Sequence, residues 1–410
     1  MPSYTALDFD LTTVLHPGDR VLVSQGVCEP VGLTAALREQ RAQLPEVSVF
    51  VGFSLTGLFD TEMAQSVPLS SYGAMGSLAG VHDAGLLDVI PCNYSDLPGL
   101  IRDGAVGADV VMVQVTPPEE NGDCFTGISM DFTVDAIRNA RVVLAEINDR
   151  LPRSPHSVTI PYERLTVAGS VSRPLIEVPT TAPTDVDTAI AREVANLIPD
   201  GATVQLGIGS TVTALGRLLT DRRDLRVHSA LVGDWLLDLV DAGAITTADG
   251  PSIVTGAAMG SLDLYEFVAH DPRVELRRIE QMQRPEVLAA LSGFVAVNSA
   301  LQVDLAGQVN AEMLGDRRVS ALGGHTEFLR GAQTSPGGTS IVALPATAGK
   351  QRASRIVKCL DSGWVTTPQA TIDVVVTENG VAHLRGTSLR HRRALLAAIA
   401  DPAHHDLLNM

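Results

Sequence analysis

Short apolar runs rich in valine recur along the chain, each closed by glycine, proline or polar residues. Asp19–Ser24 (D-R-V-L-V-S) is the first, after the turn His16-Pro17-Gly18, and Val47–Phe53, Leu87–Ile90 and Ala108–Val115 repeat it. Runs this short, apolar at successive positions, predict strands buried on both faces. Between them the spacing becomes helical: Glu29-Pro30 opens a helix that runs through Leu33, Ala36 and Leu37. Strand and helix in alternation predict an open, parallel α/β sheet.

The pattern breaks at Glu177–Asp187, where prolines, threonines and aspartates follow one another. This stretch reads as a linker and divides the chain into domains at 1–182 and 183–410. Beyond it a second α/β pattern begins. Asp187–Leu197 is helical by period, Thr203–Leu206 a strand, Gly207-Ile208-Gly209 a turn and Thr211–Leu219 a helix. Further strands are expected at Phe294–Asn298, Ser340–Leu344 and Ile372–Thr377, and a closing helix at Ser388–Ile399. No exact internal repeat is visible.

Composition agrees with two domains and says what the core is made of. A chain of 410 residues exceeds one comfortable core. Hydrophobic residues are 45% and aromatics only 4%, so the core is aliphatic. The formal charge of −17 argues against nucleic acid, which needs a basic surface. It leaves room for a phosphorylated small molecule held by a local set of donors. The cysteines, Cys28, Cys92, Cys124 and Cys359, form no C-x-x-C pair. Neither a disulfide framework nor a metal site is expected. The start Met-Pro-Ser-Tyr has no basic or apolar leader, and no apolar run approaches the roughly 20 residues of a membrane helix. A soluble, cytoplasmic protein with no membrane partner is the expectation.

Three stretches carry candidate chemistry. Gln205 to Ser210 (Q-L-G-I-G-S) stands between a strand and a helix, where glycines let a ligand approach the backbone and a helix N-terminus attracts an anion. An ordinary tight turn would read the same. The third glycine of the dinucleotide fingerprint is absent, since Thr211-Val212 fills that region, which disfavours a nicotinamide site. Leu322–Phe328 (L-G-G-H-T-E-F) reads as a second glycine turn, with Ser335-Pro336-Gly337-Gly338 close behind. Consecutive N–H groups of such turns can stabilise an oxyanion; a plain surface loop is the alternative. Phe294–Glu312 sets Asn298, Ser299, Asp304, Gln308, Asn310 and Glu312 in an otherwise apolar run. These groups either support the fold or line a cleft.

Asn298 to Glu312 (N-S-A-L-Q-V-D-L-A-G-Q-V-N-A-E) resembles the segment N-S-A-L-E-V-D-L-x-G-Q-V-N-A-E of the acetyl-CoA hydrolase/transferase family. Ser24–Pro30 with Leu33, Ala36 and Leu37 is similar to that family's S-x-G-x-x-E-P-x-x-L-x-x-A-L. Gln114–Pro118 with Asn121-Gly122, Ser335–Pro345, Ser354–Val357 and Thr377–Gly386 resemble further family segments, in the family's order. The resemblance spans nearly the whole chain. It implies two open α/β domains of the CoA-transferase type, the active site in the cleft between them and the CoA-binding loops on the second domain. It implies no cofactor, coenzyme A thioester being the substrate, and association as a homodimer. It also implies a mechanism in which a glutamate attacks the thioester, becomes a mixed anhydride, then a glutamyl-CoA thioester, and finally hands on to an acceptor or to water.

The chain departs from that family where the mechanism needs it most. The family glutamate lies in H-S-E-M-x-x-D, and the matching stretch is His228-Ser229-Ala230-Leu231-Val232-Gly233-Asp234. Ala230 stands at the glutamate, and a methyl group cannot carry an acyl group. Glu378, in Thr377-Glu378-Asn379-Gly380, resembles the nucleophile motif of the ketoacid branch, although the same residues also fit the family's own T-E-x-G-V-A-x-L. His325 stands where the family has Gln, Glu327 where it has Asp, Gln302 where it has Glu, and Lys350 is displaced by one position. His325 reads either as a general base near an oxyanion turn or as a polar loop residue with a structural partner. The resemblance and the turns single out Gln205, Gly207, Ile208, Gly209, Asn298, Asn310, Gly323, Gly324 and Lys350 for CoA or substrate. They single out position 230, His325 and Glu327 for the chemistry. The expected function is acyl-CoA processing without a glutamyl-CoA intermediate, by thioester hydrolysis or direct transfer to a bound small-molecule nucleophile. A non-catalytic acyl-CoA binder or partner subunit, and an ordinary acetate-type transferase with a relocated carboxylate, are the alternatives.

Overall fold

The computed structural model describes residues 4–248 and 250–409. The chain forms two compact units. In the first, β1 (Arg20–Val23), β2 (Ser48–Val51), β3 (Leu69–Ser71), β4 (Leu87–Val89), β5 (Val110–Val115), β6 (Val142–Asn148) and β7 (Leu165–Val171) build a seven-stranded sheet in the order β4-β3-β2-β1-β5-β6-β7. Every adjacent pair is parallel. Every residue of β5 is buried, as its unbroken run V-V-M-V-Q-V requires of a strand covered on both faces. One face packs Leu33, Leu37, Val49 and Met63; the other packs Leu22, Phe50, Val111 and Phe132. Helix α1 (Val31–Gln40) lies close enough to the sheet that a Cβ at Gly32 would come 2.5 Å from Glu146 Oε2. The buried Glu146 accepts the Leu33 N–H at 3.0 Å and pairs with Arg173.

The second unit contains α2 (Asp185–Ala195), β8 (Thr203–Leu206), α3 (Ser210–Leu218), β9 (Arg226–Val232), α4 (Trp235–Asp241), α5 (Pro285–Ala290), β10 (Phe294–Ser299), α6 (His325–Thr334), β11 (Thr339–Ala343), β12 (Val374–Thr377) and β13 (Gly380–His383). Within the unit the strands run β9-β8-β10-β11-β12-β13. The pairings are parallel from β9 to β12. Strand β13 departs from the all-parallel expectation. It turns back on β12, with Thr377 opposite Gly380, and Gly380 has φ +139°. The core on one face is aliphatic apart from Phe294 and Phe328.

A single cut at 182/183 does not describe the units. The first runs to Val178 and also takes in Gly256–Glu280 and Arg317–Ala321. Specific bonds hold those segments there. Met130 N–H donates to the Gly256 carbonyl at 2.8 Å, and Ala74 N–H to that of Ser320 at 3.1 Å. The buried Asp135 is flanked by Arg102 at 3.1 Å and Arg278 at 2.5 Å, and Arg102 also reaches Glu280 at 2.7 Å. Arg317 pairs with Asp83 at 2.6 Å. Nothing local in the sequence marks such returns, because each depends on a partner far along the chain.

Candidate active site

Every residue singled out from the sequence lies in the second unit. Strand β8 ends at Leu206, and Gly207-Ile208-Gly209 carries the chain into α3. Gly209 has φ +126°, a conformation closed to side chains, so the turn requires glycine there. The loop is fixed from two sides. Trp235, buried at the start of α4, donates its indole N–H to the Gly207 carbonyl at 3.0 Å. Asp187 accepts the hydroxyls of Ser210 at 3.0 Å and Thr211 at 2.6 Å, and its other oxygen accepts the Thr184 N–H and hydroxyl. Burial alone would raise the Asp187 pKa, but these hydrogen bonds, led by Thr211, outweigh it and hold the carboxyl below its ordinary value. The N-terminal end of α3 therefore already faces one carboxylate, which offsets part of its attraction for an anion. Ile208 remains 43% exposed.

A cavity of about 70 Å³ opens beside this loop, lined by Gly207, Ile208, Thr211, Val297, Asn298 and Ala343 among others. It lies at the carboxyl ends of β8, β10 and β11, where open α/β sheets bind ligands. The register brings Leu206 beside Val297 and Ser299 beside Ala343. Asn298 donates its amide N–H to the buried Gln205 Oε1 at 2.8 Å, so these two predicted residues act as a pair.

Ala230 lies near the carboxyl end of β9, beside the same loop. Thr203 pairs with Arg226 and Val204 with Val227, and this register carried forward sets Ser229 at Leu206 and Ala230 at Gly207. The Ser229 hydroxyl donates to the Leu206 carbonyl at 2.6 Å, which agrees. Ala230 is half-buried and packs against the cluster that contains Phe294 and Phe328. His228, two residues earlier on the same strand face, meets the Met282 carbonyl through Nε2 at 2.8 Å.

The glycine stretch at Leu322 is shorter as a turn than expected. Gly323 has φ +57° and Gly324 caps α6, so His325 and Glu327 belong to the first turn of a ten-residue helix rather than to a loop. His325 is buried, and both of its nitrogens are engaged. Nε2–H donates to the Ser299 carbonyl at 3.1 Å, which leaves Nδ1 to accept from the Thr367 hydroxyl at 2.8 Å. Burial pulls its pKa down to about 4, so the ring is neutral at pH 7. The arrangement ties α6 to β10 and leaves no ring nitrogen over for a general base.

Other predicted residues separate from this edge. Asn310 is fully buried, and its amide is spent on its own turn: Nδ2–H donates to the Met313 carbonyl at 2.8 Å, while Oδ1 accepts the N–H groups of Glu312 and Met313. Lys350 is exposed in the turn joining Thr347–Ala348 to Ala353–Ser354. Glu378 follows β12 and accepts the Ala346 N–H at 2.8 Å. From β9 to β12 the sheet crosses β8, β10 and β11. At about 4.8 Å per step that is roughly 19 Å between the two strands.

The first unit holds a polar cluster that the sequence did not announce. Gln25, just past β1, donates to the Tyr94 hydroxyl at 2.5 Å and accepts from that of Tyr72 at 3.3 Å. The two rings are 5.4 Å apart, and burial pushes both phenols well up. Its members are far apart in sequence, so only the order of strands assembles them. Among the described residues, no group of three or more His, Cys, Asp or Glu side chains is placed to hold a metal ion. Among them, too, no helix is long and apolar enough to cross a membrane.

Comparison with known proteins gives one consistent answer. Residues 9–166 match the family model for the acetyl-CoA hydrolase/transferase N-terminal domain, and residues 260–410 that for its C-terminal domain. The chain is 36% identical over 396 residues to the 4-hydroxybutyrate coenzyme A transferase of Clostridium kluyveri, covering 95% of this chain and 92% of that one. In structure it is similar to RipA from Yersinia pestis, with a TM-score of 0.90 and 29% identity over 99% of this chain and 96% of that one. It is also similar to a 4-hydroxybutyrate CoA-transferase from Porphyromonas gingivalis, with a TM-score of 0.80 and 32% identity over 97% and 94%.

Proposed function

Because the chain belongs to the acetyl-CoA hydrolase/transferase family, we propose that it processes acyl-CoA thioesters without forming an enzyme-bound glutamyl-CoA intermediate. It is an acyl-CoA hydrolase/transferase-like enzyme. The observation that carries the finer reading is Ala230. It stands beside the glycine loop at the carboxyl edge of the sheet, and the Glu378 carboxylate is held across the sheet by the Ala346 N–H. The Gly207-Ile208-Gly209 loop and the Gln205–Asn298 pair would receive the CoA thioester, with the acyl group passing to water or directly to a bound acceptor.

The test is a panel of acyl-CoA thioesters offered with water, carboxylates, amines and alcohols, read as thiol release and as new acyl product. Turnover is expected, and borohydride treatment during turnover should leave every glutamate peptide unmodified by mass. A reduced glutamate would show a covalent carboxylate route. Absence of thiol release from every thioester, with coenzyme A still binding by calorimetry, would make the chain a non-catalytic binder.

A further inference from the structure

A cavity at the amino ends of β1 and β5 belongs wholly to the first unit, whereas every residue singled out for the chemistry belongs to the second. It holds about 460 Å³, within the range of small-molecule sites, and Arg20, Arg102, Asp109, Arg138 and Asn139 are among its lining. Arg20 opens β1, and Asp109 stands just before the neighbouring β5. Arg102 and Arg138 lie in the last turns of the helices Leu97–Arg102 and Thr133–Asn139. A cation is favoured at a helix C-terminus for its own sake. That preference does not bring two such helices and the start of a strand to one cavity. Nor do the charges cancel there. Arg20 grips Asp109 through Nε at 2.9 Å and Nη2 at 3.2 Å, and its Nη1 donates to the Gly104 carbonyl at 3.0 Å. A Cβ on Gly107 would come 2.2 Å from Arg20 Cδ, so this glycine keeps open the path on which the arginine stem lies. Arg102 reaches Asp135 and Glu280, and Arg278 shares both carboxylates. Two arginines thus answer two acids, and Arg20 answers Asp109. Asp103, the acid next to Arg102, does not line the cavity. Arg138 is exposed and, among the described residues, has neither an ion pair nor a hydrogen bond.

We propose that this cavity binds the phosphate group of a small molecule, held by Arg138 together with the unused N–H groups of Arg20 and Arg102. The ligand class follows from the donors. A guanidinium is a planar fork that meets the oxygens of a phosphate two at a time, and neither Arg20 nor Arg102 spends all of its N–H groups on its partners. A carboxylate has too few oxygens to engage three such forks; a phosphate presents more, each bond charge-assisted. The uncompensated Arg138 also supplies a local attraction that a chain of net charge −17 otherwise denies to anions. Ile101, Val106 and Ala108 add an apolar wall, and the volume leaves room beyond the phosphate for the body of an ester the size of a nucleotide. Such a ligand would join β1 to both helices and, through Arg102 and Glu280, to the segment that returns to this unit late in the chain. The inference does not depend on the reaction proposed above.

Calorimetric titration of the full chain with ADP and with inorganic phosphate, each against sodium chloride at equal ionic strength, tests the site. Wild type is expected to bind, and the bound ligand to raise the unfolding temperature. Arg138→Gln has no bond to lose and should fold like wild type, yet weaken binding about tenfold or more. Arg138→Lys keeps the charge without the fork and should fall between the two. Asn139→Trp sets an indole in the exposed lining and should weaken binding by obstruction, with circular dichroism showing that the variant is folded. ADP bound more tightly than phosphate, and lost in Arg138→Gln, supports an ester as the ligand. Phosphate bound at least as well, and lost in the same variant, supports the same site with the free ion in it. Absence of binding by both overturns the proposal. So does binding that Arg138→Gln and Asn139→Trp leave unchanged, since it then takes place elsewhere on the chain.

Discussion

At the scale of single residues, what a side chain can do is set by which of its atoms are already in use. His325 read from sequence as a polar group beside a glycine turn and Asn310 as one within an apolar run, and both make their hydrogen bonds inside the chain. His325 makes a measurable prediction. Its pKa is about 4 when folded against an ordinary 6.5, so between those values the unfolded chain binds the extra proton. Stability therefore rises with pH through that window and is lost as pH falls from 6.5 toward 4, by about 3 kcal/mol. Urea unfolding of wild type and His325→Gln across pH 4–7 checks it: the slope should flatten in the variant. A general-base role would in addition lower kcat in His325→Gln, which a purely structural role at full folding would not. Ala230 drew notice from its flanking motif, His228-Ser229 and Asp234, which leaves little room to slide the alignment. Arg138 drew none, because Arg20 and Arg102 come beside it only through the order of the strands.

At the scale of elements, the valine runs marked β1, β2, β5 and β8 within a residue or two of their observed ends. They did so because most positions of a strand buried on both faces are apolar, with Gln114, Thr203 and Gln205 as isolated interruptions. Strand β9 was missed for the opposite reason: R-V-H-S-A-L-V mixes buried His228 and Ser229 among apolar positions. Strand β7 (L-T-V-A-G-S-V) is half-buried along most of its length and gives no clear period. The approach of α3 to α4 was equally silent. A Cβ on Gly216 would lie 2.6 Å from Trp235 Cβ and 3.3 Å from its Cα. Gly216→Ala should force these helices apart, lowering stability by about 1–3 kcal/mol and loosening the indole bond to Gly207. Thermal unfolding and Trp fluorescence would register both. Asp187→Ala removes the carboxylate half of the Thr184–Asp187 capping box of α2 and the two hydroxyl bonds to α3 together. A loss of about 1–2 kcal/mol is expected by chemical denaturation, with a raised KM for acyl-CoA if the loop orders the ligand.

At the scale of the whole molecule, two α/β units were readable from composition and from the break at Glu177–Asp187. Their membership was not. Gly256–Glu280 and Arg317–Ala321 return to the first unit through bonds to Asp135, Arg102, Asp83, Met130 and Ala74. A fragment ending at the sequence-drawn boundary, residues 1–182, should therefore be incomplete. It is expected to unfold at much lower urea than the same unit in the full chain and to aggregate on concentration, whereas an independently folding domain would keep its transition. Circular dichroism with urea titration and light scattering separates these results.

That discontinuity also sets an order of events in the cell. The ribosome releases the strands of the first sheet early, but Arg278, the later of the two arginines that flank Asp135, is made more than a hundred residues further on, and the last contact waits for Ala321. At about 5–20 residues per second the nascent sheet stands unfinished for on the order of ten seconds. During that interval the groups that the two late segments cover stay open to chaperones, and a codon change that slows translation between the two units would prolong the exposure without altering a single residue of the finished protein.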